Sequence, residues 1–498
     1  MAHMNRTPHV LAAAVVAAVI AGCAYSINPI TGKRQAFAYT WAQEVQLGHQ
    51  ADGEIIKEYG VYDDPQLSTY VNQVGQKALQ ESQLRQPSTP AEFRDTPFTF
   101  RVLDSPVVNA FALPGGYVYV TRGLLANLDS EAQLGVVLGH EIGHVAARHA
   151  STQALHMEIA QVGLIGGAVI AEQIKRGAGE PVLAVGSLAG QFLFLKYSRD
   201  DERQADQLGV EYAAKAGYDA GQASAFFRSL ARLSSKQGGN IPTFLSTHPD
   251  PGRREQTVAR MAAEWKQQGY ADTDVNQPQY YRQITGIVLG DDPRQGLVQN
   301  GIFYQPQMGF QFPVPANWSM TNSPQAVQLV DPSKRAGLVL QSGQAATPDL
   351  AAARFAGQSG VVVSEKTSSM VNGMPAVTVV ANAPDGQGGV VRVMRTFIGF
   401  DGKVLDFIGI TSTDAFPAFQ ATFAQTAGGF NRLRDQRIAA MKPVRLQVVT
   451  ADRTAPFQSF LPSSLPSGFT AEEIAILNQV DLTQQIPRGA LLKLPVAG

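Results

Sequence analysis

The chain has 498 residues, too many for one small domain and enough for about three at roughly 150 residues each. With 44 % apolar and 16 % charged residues it is no disordered tail, and 40 Lys+Arg against 41 Asp+Glu leave none of the basic surplus of a nucleic-acid binder. A single Cys excludes internal disulfides and Cys-rich zinc fingers.

The amino end reads as an address. Arg6 precedes Val10 to Ala21, twelve residues without a polar side chain. That is too short to span a bilayer, which takes about 20 apolar residues, and has the shape of a secretory signal. Ile20-Ala21-Gly22-Cys23 resembles the bacterial lipobox. The resemblance implies lipidation of Cys23, a signal peptide over residues 1–22 and a membrane anchor. Ala24 rather than Asp follows the Cys, which implies the periplasmic face of the outer membrane of a Gram-negative cell.

From Thr40 to about Ser82 the pattern is helical, restarted at Asp63-Asp64-Pro65. Gln86 to Pro97 reads as a loop and Phe98 to Leu103 as a strand. Val107 to Val120 is extended and broken by a turn at Pro114-Gly115-Gly116. Ser130 with Gln133 forms a capping-box pattern that opens a helix to about Ser151, with Leu134, Val137, Leu138 and Val145 on its apolar face. Ile159 to Gln173 is apolar and Gly-rich, a core helix or, alternatively, a membrane-facing or lid segment. Further helical stretches cover roughly Gln191 to Ala216, Ser224 to Leu233 and Arg254 to Gln268. From Gly301 to about Asn431, short β-branched runs alternate with turns around helical stretches at Ala351 to Gln358 and Phe416 to Thr426. That mixture predicts an α+β domain on an antiparallel sheet. Arg445 to Pro495 holds a strand, a helix at Ala471 to Asn478 and a closing strand at Leu491 to Leu494.

The chemistry lies in His140-Glu141-Ile142-Gly143-His144, an H-E-x-x-H on the helix opened by Ser130. Residues four apart share a helix face, so both imidazoles can meet one ion, and Glu141 lies close enough to take a proton from an activated water. Two neutral imidazoles suit Zn²⁺, which then needs a third protein ligand and an open position. On a continuous helix His149 would sit about 140° round from His144 and point elsewhere. The third His of the longer H-E-x-x-H-x-x-G-x-x-H pattern is missing, with Ala147 and Ala150 in its key places. Glu202, in Ser198-Arg199-Asp200-Asp201-Glu202-Arg203-Gln204-Ala205-Asp206, is the best third ligand. Asp206 shares its helix face and can accept the outer N–H of a ligand His.

His140 to His144 followed by Ser198-Arg199, Glu202 and Ala205-Asp206 resembles the gluzincin peptidases grouped with the HtpX heat-shock protease and the CAAX prenyl protease, most closely their periplasmic BepA-like branch. Three further stretches match: Asn28 to Gln35, Asn109 to Gly116, and Ser246-Thr247-His248-Pro249 with Arg253-Arg254. The resemblance implies one Zn²⁺ per chain held by His140, His144 and Glu202, with Glu141 as general base. It implies that the backbone of Asn109 and Ala110 pairs with an extended substrate. It also implies that His248 faces the site as an oxyanion donor or a gate on the water position, and that Arg253 or Arg254 does likewise.

Gly309 to Pro315 with Trp318 resembles the opening of PsbP-like domains. Leu446 to Pro495 resembles a degenerate LysM unit, with Ala451-Asp452-Arg453-Thr454 in place of the usual Gly-Asp-Thr. The expected whole is an α+β multidomain chain. A mainly helical zincin-like peptidase domain with a small sheet spans 23–285, an α/β/α PsbP-like domain 300–435 and a small LysM-like unit 444–498. The expected activity is zinc-dependent endopeptidase action on extended or misfolded envelope proteins. Its partners would be protein or peptide substrates, a membrane through Cys23, and envelope assembly proteins or peptidoglycan, with no nucleic acid. The alternative is a non-catalytic envelope scaffold or peptidoglycan-binding module.

Overall fold

A computed structural model of the chain describes residues 24–164, 188–193, 195–236, 244, 248, 251–270, 274–385 and 389–498, without the side chains of 158–164 and 251–253. Cys23 and most of the apolar stretch 159–173 lie outside the described residues. The described residues form two compact units, one of residues up to Asp291 together with Val444–Gly498, the other of Asp292–Pro443. No described helix is long and apolar enough to cross a membrane.

The first unit begins with a hairpin of β1 (Ala24–Ile27) and β2 (Arg34–Phe37). Two helices follow, α1 (Trp41–Tyr59) and α2 (Pro65–Gln80), split where Asp64 caps a helix whose first residue is Pro65. A three-stranded sheet holds β3 (Thr99–Leu103), β4 (Ala110–Leu113) and β5 (Tyr117–Thr121) in the order β3-β5-β4, so β4 is an edge. The central helix α3 (Glu131–Ala146) is buried along its whole length. Its cap differs from the expected reciprocal box. Ser130 Oγ does accept from the Gln133 N–H, but the Gln133 side-chain Oε1 accepts from the Asp129 N–H instead.

The helix expected to run to about Ser151 stops at Ala146, and α4 (His149–Leu164) starts afresh. The break is at Arg148, whose φ of 60° is left-handed. A non-glycine residue pays about 1–2 kcal/mol for that conformation. Tertiary contacts hold it there. Arg148 is buried, donates to Glu44 Oε1 at 2.9 Å and to the Tyr39 carbonyl at 2.7 Å, and stacks 3.6 Å over the Phe37 ring. The stretch from Gln191 is likewise interrupted. Helix α5 (Arg199–Lys215) starts only at a capping box in which Ser198 and Asp201 exchange hydrogen bonds. Helices α6 (Ala223–Lys236) and α7 (Pro251–Gln267) complete this part.

Helices α3 and α5 cross at two glycines. A Cβ on Gly209 would lie 2.8 Å from His140 N, and one on Gly139 would lie 3.0 Å from Gly209 O. Only backbone without side chains can approach so closely, and this crossing brings the acidic start of α5 to the imidazoles of α3.

The carboxyl end, Val444–Gly498, belongs to this same unit. Its strands Arg445–Thr450 and Leu491–Val496 pair antiparallel, and Leu446 and Leu477 are buried in the core that holds Leu134 and Val137 of α3. Lys493 is fully buried against the segment that precedes α3. Its ammonium donates to the Ala126 and Leu128 carbonyls at 2.9 and 2.8 Å and pairs with Asp129 at 2.6 Å.

The second unit is sheet-rich. Seven antiparallel strands run between Ser319 and Thr411, and a four-stranded sheet runs between Leu297 and Arg432. Helices Pro348–Ala356 and Phe416–Gly428 accompany them. One core here is aromatic, with Phe303, Phe310, Phe312, Phe407 and Phe430 buried together.

Candidate metal centre

His140 and His144 project from one face of α3, Glu202 from the first turn of α5, and His248 from the segment before α7. One ligand atom from each lies within 4.8 Å of every other, and all four residues are buried. His140 Nε2 is 3.0 Å from His144 Nε2 and 3.3 Å from His248 Nδ1. Glu202 oxygens lie 3.6 Å from His140 Nε2, 3.5 Å from His144 Nε2 and 2.9 Å from His248 Nδ1. Donors around a tetrahedral Zn²⁺ with bonds near 2.1 Å are about 3.4 Å apart, so these separations and this nitrogen-rich donor set fit that ion.

Two buried polar atoms at the centre, Glu141 Oε1 and His248 Nε2, have no hydrogen-bond partner and stand 3.6 Å from each other. Buried polar atoms without partners are rare and mark a place where water or a ligand is accommodated.

The surroundings set the proton positions. Asp206 Oδ1 lies 3.0 Å from His140 Nδ1, nearer than Arg254 Nη2 at 3.3 Å, and Arg254 is itself paired with Asp206, so that nitrogen carries the hydrogen and Nε2 keeps its lone pair for the centre. Arg254 donates Nε to Asp206 Oδ2 at 2.9 Å and approaches Glu202 at 3.4 Å. Burial alone would raise the carboxyls of Glu202 and Asp206. For Glu202 it is outweighed by His248, His140 and Arg254, and for Asp206 by Arg254 and His140, and both stay below the usual range. Burial raises the Glu141 carboxyl against a smaller opposing pull from His248 and His140. Burial also holds His144 well below its usual value, aided by the neighbouring imidazoles.

Two expectations need correction. Arg254, read as a substrate-side group, is 5 % exposed and turned onto Asp206 and Glu202, because two buried carboxylates draw a cation. The Arg253 side chain lies outside the described residues. His149 does not point elsewhere. The break at Arg148 swings it back, and its Nδ1 comes within 3.0 Å of His144 Nδ1. The straight-helix assumption hid this, and H-x-x-x-x-H spacing beyond the motif was the available signal. Tyr197, which no motif singled out, stacks on His144 with ring centroids 4.2 Å apart.

Asn109 and Ala110 stand at the start of β4. The Asn109 carbonyl accepts from the Thr121 N–H at 3.0 Å, and its N–H donates to Thr121 Oγ1 at 3.1 Å. Asn109 is therefore committed to β5, and the alternation of a strand turns the backbone of the buried Ala110 away from β5. Further along, Leu113 and Pro114 line a cleft together with His144, Arg148 and Tyr197.

A helix-borne H-E-x-x-H completed by a carboxylate from a second helix defines a metallopeptidase centre. Residues 67–262 match the model of peptidase family M48. The putative beta-barrel assembly-enhancing protease of Vibrio cholerae is 33 % identical over 203 residues, 39 % of this chain and 39 % of the relative. The beta-barrel assembly-enhancing protease of Escherichia coli (strain K12) is 29 % identical over 234 residues, 45 % of each chain. The mitochondrial metalloendopeptidase OMA1 of Arabidopsis thaliana is 35 % identical over 162 residues, 32 % of this chain and 30 % of the relative. The match thus spans less than half the length of each of these relatives. Among solved structures, the PsbP protein of Synechocystis shares 16 % identity over 26 % of this chain and 91 % of its own, with a TM-score of 0.22, at which no fold assignment follows.

Proposed function

We propose that this protein is a zinc endopeptidase in which His140, His144 and Glu202 hold the ion and Glu141 is the general base. The observation that carries the proposal is the buried cluster of four donor atoms with the unpartnered Glu141 oxygen beside it. When bound, zinc supplies Lewis acidity, polarising the scissile carbonyl and lowering the pKa of water to about 7. Glu141 takes the proton of the attacking water and passes it to the leaving amine nitrogen. Asp206 keeps the hydrogen of His140 on the outer nitrogen, and Arg254 holds Asp206 in place. The edge of β4 at Ala110, on the side away from β5, takes the extended peptide as an added strand. His248 gates the water position, since its Nδ1 is a fourth protein donor and four such donors would close the centre to water.

The substrates are extended or misfolded envelope proteins, in line with the names of the bacterial relatives, and the protein acts in envelope quality control. Cys23 anchors it by lipid to the periplasmic face of the outer membrane, and β1 begins one residue beyond that Cys. The unit 300–435 is PsbP-like and the segment 444–498 LysM-like, and they meet envelope assembly partners or peptidoglycan. A bare scaffold would need no carboxylate poised between two ligands.

Replacing Glu141 with Gln tests the mechanism. Peptide cleavage should fall by about 10²-fold or more while zinc content stays at about one per chain. Cleavage that persists in Glu141→Gln, or a wild-type chain that binds no zinc, removes the proposal.

A further inference from the structure

We propose that His149 is a positioning residue that fixes the proton, and so the ligating nitrogen, of His144. The proposal rests on the zinc reading above and extends it to a residue outside the ligand set. The His149 ring stands edge-on to His144, with centroids 5.0 Å apart at 76°, and the two Nδ1 atoms are 3.0 Å apart. Two neutral imidazole nitrogens at that distance share one hydrogen, so one donates and the other accepts. The far end of the His149 ring decides which. Its Nε2 lies 2.9 Å from Gln204 Oε1 and 3.6 Å from Asp201 Oδ1. The Asp201 carboxylate can only accept, and it is itself held by Gln153 at 2.6 Å and by Ser198 Oγ at 2.8 Å.

His149 therefore carries its hydrogen on Nε2 and presents a lone pair at Nδ1. His144 must then donate from Nδ1, which leaves the lone pair on Nε2. That is the atom facing His140 Nε2 at 3.0 Å and Glu202 at 3.5 Å. The two histidines of the motif thus reach the same protonation pattern by different routes. His140 is set by a carboxylate directly, His144 through the His149 imidazole, whose far nitrogen faces Gln204 and Asp201. The relay exists because Arg148 is left-handed. A continuous helix would carry His149 away, and the contacts of Arg148 with Glu44, Tyr39 and Phe37 hold the turn that brings it back. At 3 % exposure, His149 is shielded from water that would compete for these hydrogen bonds.

The test is zinc affinity of the full chain, measured by competition with a chromophoric chelator, alongside melting of the metal-free protein. His149→Leu should weaken zinc by about 10- to 100-fold. His149→Asn should recover most of that loss, because its side-chain oxygen can accept from His144 Nδ1 where the ring nitrogen did. Metal-free melting of the two variants should agree, which separates positioning from packing. Gln204→Met, at a half-buried position, removes one acceptor and should cost about 2- to 10-fold. It carries the test should His149→Leu fail to fold. Wild-type zinc affinity in His149→Leu, or equal losses in the Leu and Asn variants, overturns the relay. So does unchanged affinity in Gln204→Met where His149→Leu does not fold. A wild-type chain that binds no zinc overturns the metal centre itself, a different failure.

Discussion

The two units bury very different things. Among the described residues, the first unit buries Glu44, Asp52, Arg122, Glu131, Glu141, Arg148, Glu202, Asp206, Arg254 and Lys493 as well as four histidines. In the second, the buried charged residues are Asp292 and Asp406, beside a core dominated by phenylalanine. Burying a charge costs several kcal/mol unless a partner and hydrogen bonds meet it, so a fold does not accumulate such groups for stability. Where they gather, as around α3, they hold each other ready for an ion or a substrate. The second unit has no comparable concentration, and its stability follows from apolar burial.

That contrast can be broken in graded steps. The largest effect should come from chelation. Zinc at about 1,000 times its Kd would stabilise the first unit by about 4 kcal/mol. Removing it should lower that unit's transition in calorimetry and leave the second unit's transition in place. Lys493→Met should come next. It strands two carbonyls in a buried setting and takes the cation from Asp129, which keeps the Tyr281 hydroxyl, at a cost of about 3 kcal/mol to the first unit. The same loss would show that the carboxyl end is part of that unit's stability. Gly209→Val should cost about 1–3 kcal/mol, because its Cβ would meet the His140 backbone. By pushing α5 away from α3 it should also lower zinc content, as metal analysis would show. The smallest effect is expected from Asp406→Asn in the second unit. It leaves Arg395, its ion-pair partner, facing a neutral amide, at about 1 kcal/mol. Zinc affinity should not change, and a change would undo the contrast.

The cluster of His140, His144 and Glu202 was legible in the sequence because its parts are local. Two imidazoles a turn apart need only a helix, and Ser130 announces where that helix starts. Glu202 and Asp206 follow the same logic on α5, one turn apart behind the cap of Ser198. Arg254 and His149 were misplaced for a common reason. Each depends on what lies next to it in space, a pair of carboxylates in one case and a left-handed Arg148 held by α1 in the other. The alternating runs from Gly301 to Asn431 made the antiparallel sheet visible, since a period of two is imposed by the strand itself. The order of its strands could not be read the same way, because pairing partners lie far apart in the chain.

By itself, then, the sequence determined the helical motif, its cap, the donor types and the alternation of the second unit. All of these are set by periodicities of a few residues. Only the tertiary structure decided that α5 crosses α3 at two glycines, that Arg148 turns the chain so His149 backs His144, and that Val444–Gly498 returns to cover the start of α3. Those outcomes rest on backbone approach, buried ion pairing and shared core packing between residues tens to hundreds of positions apart, and no local pattern encodes such energies.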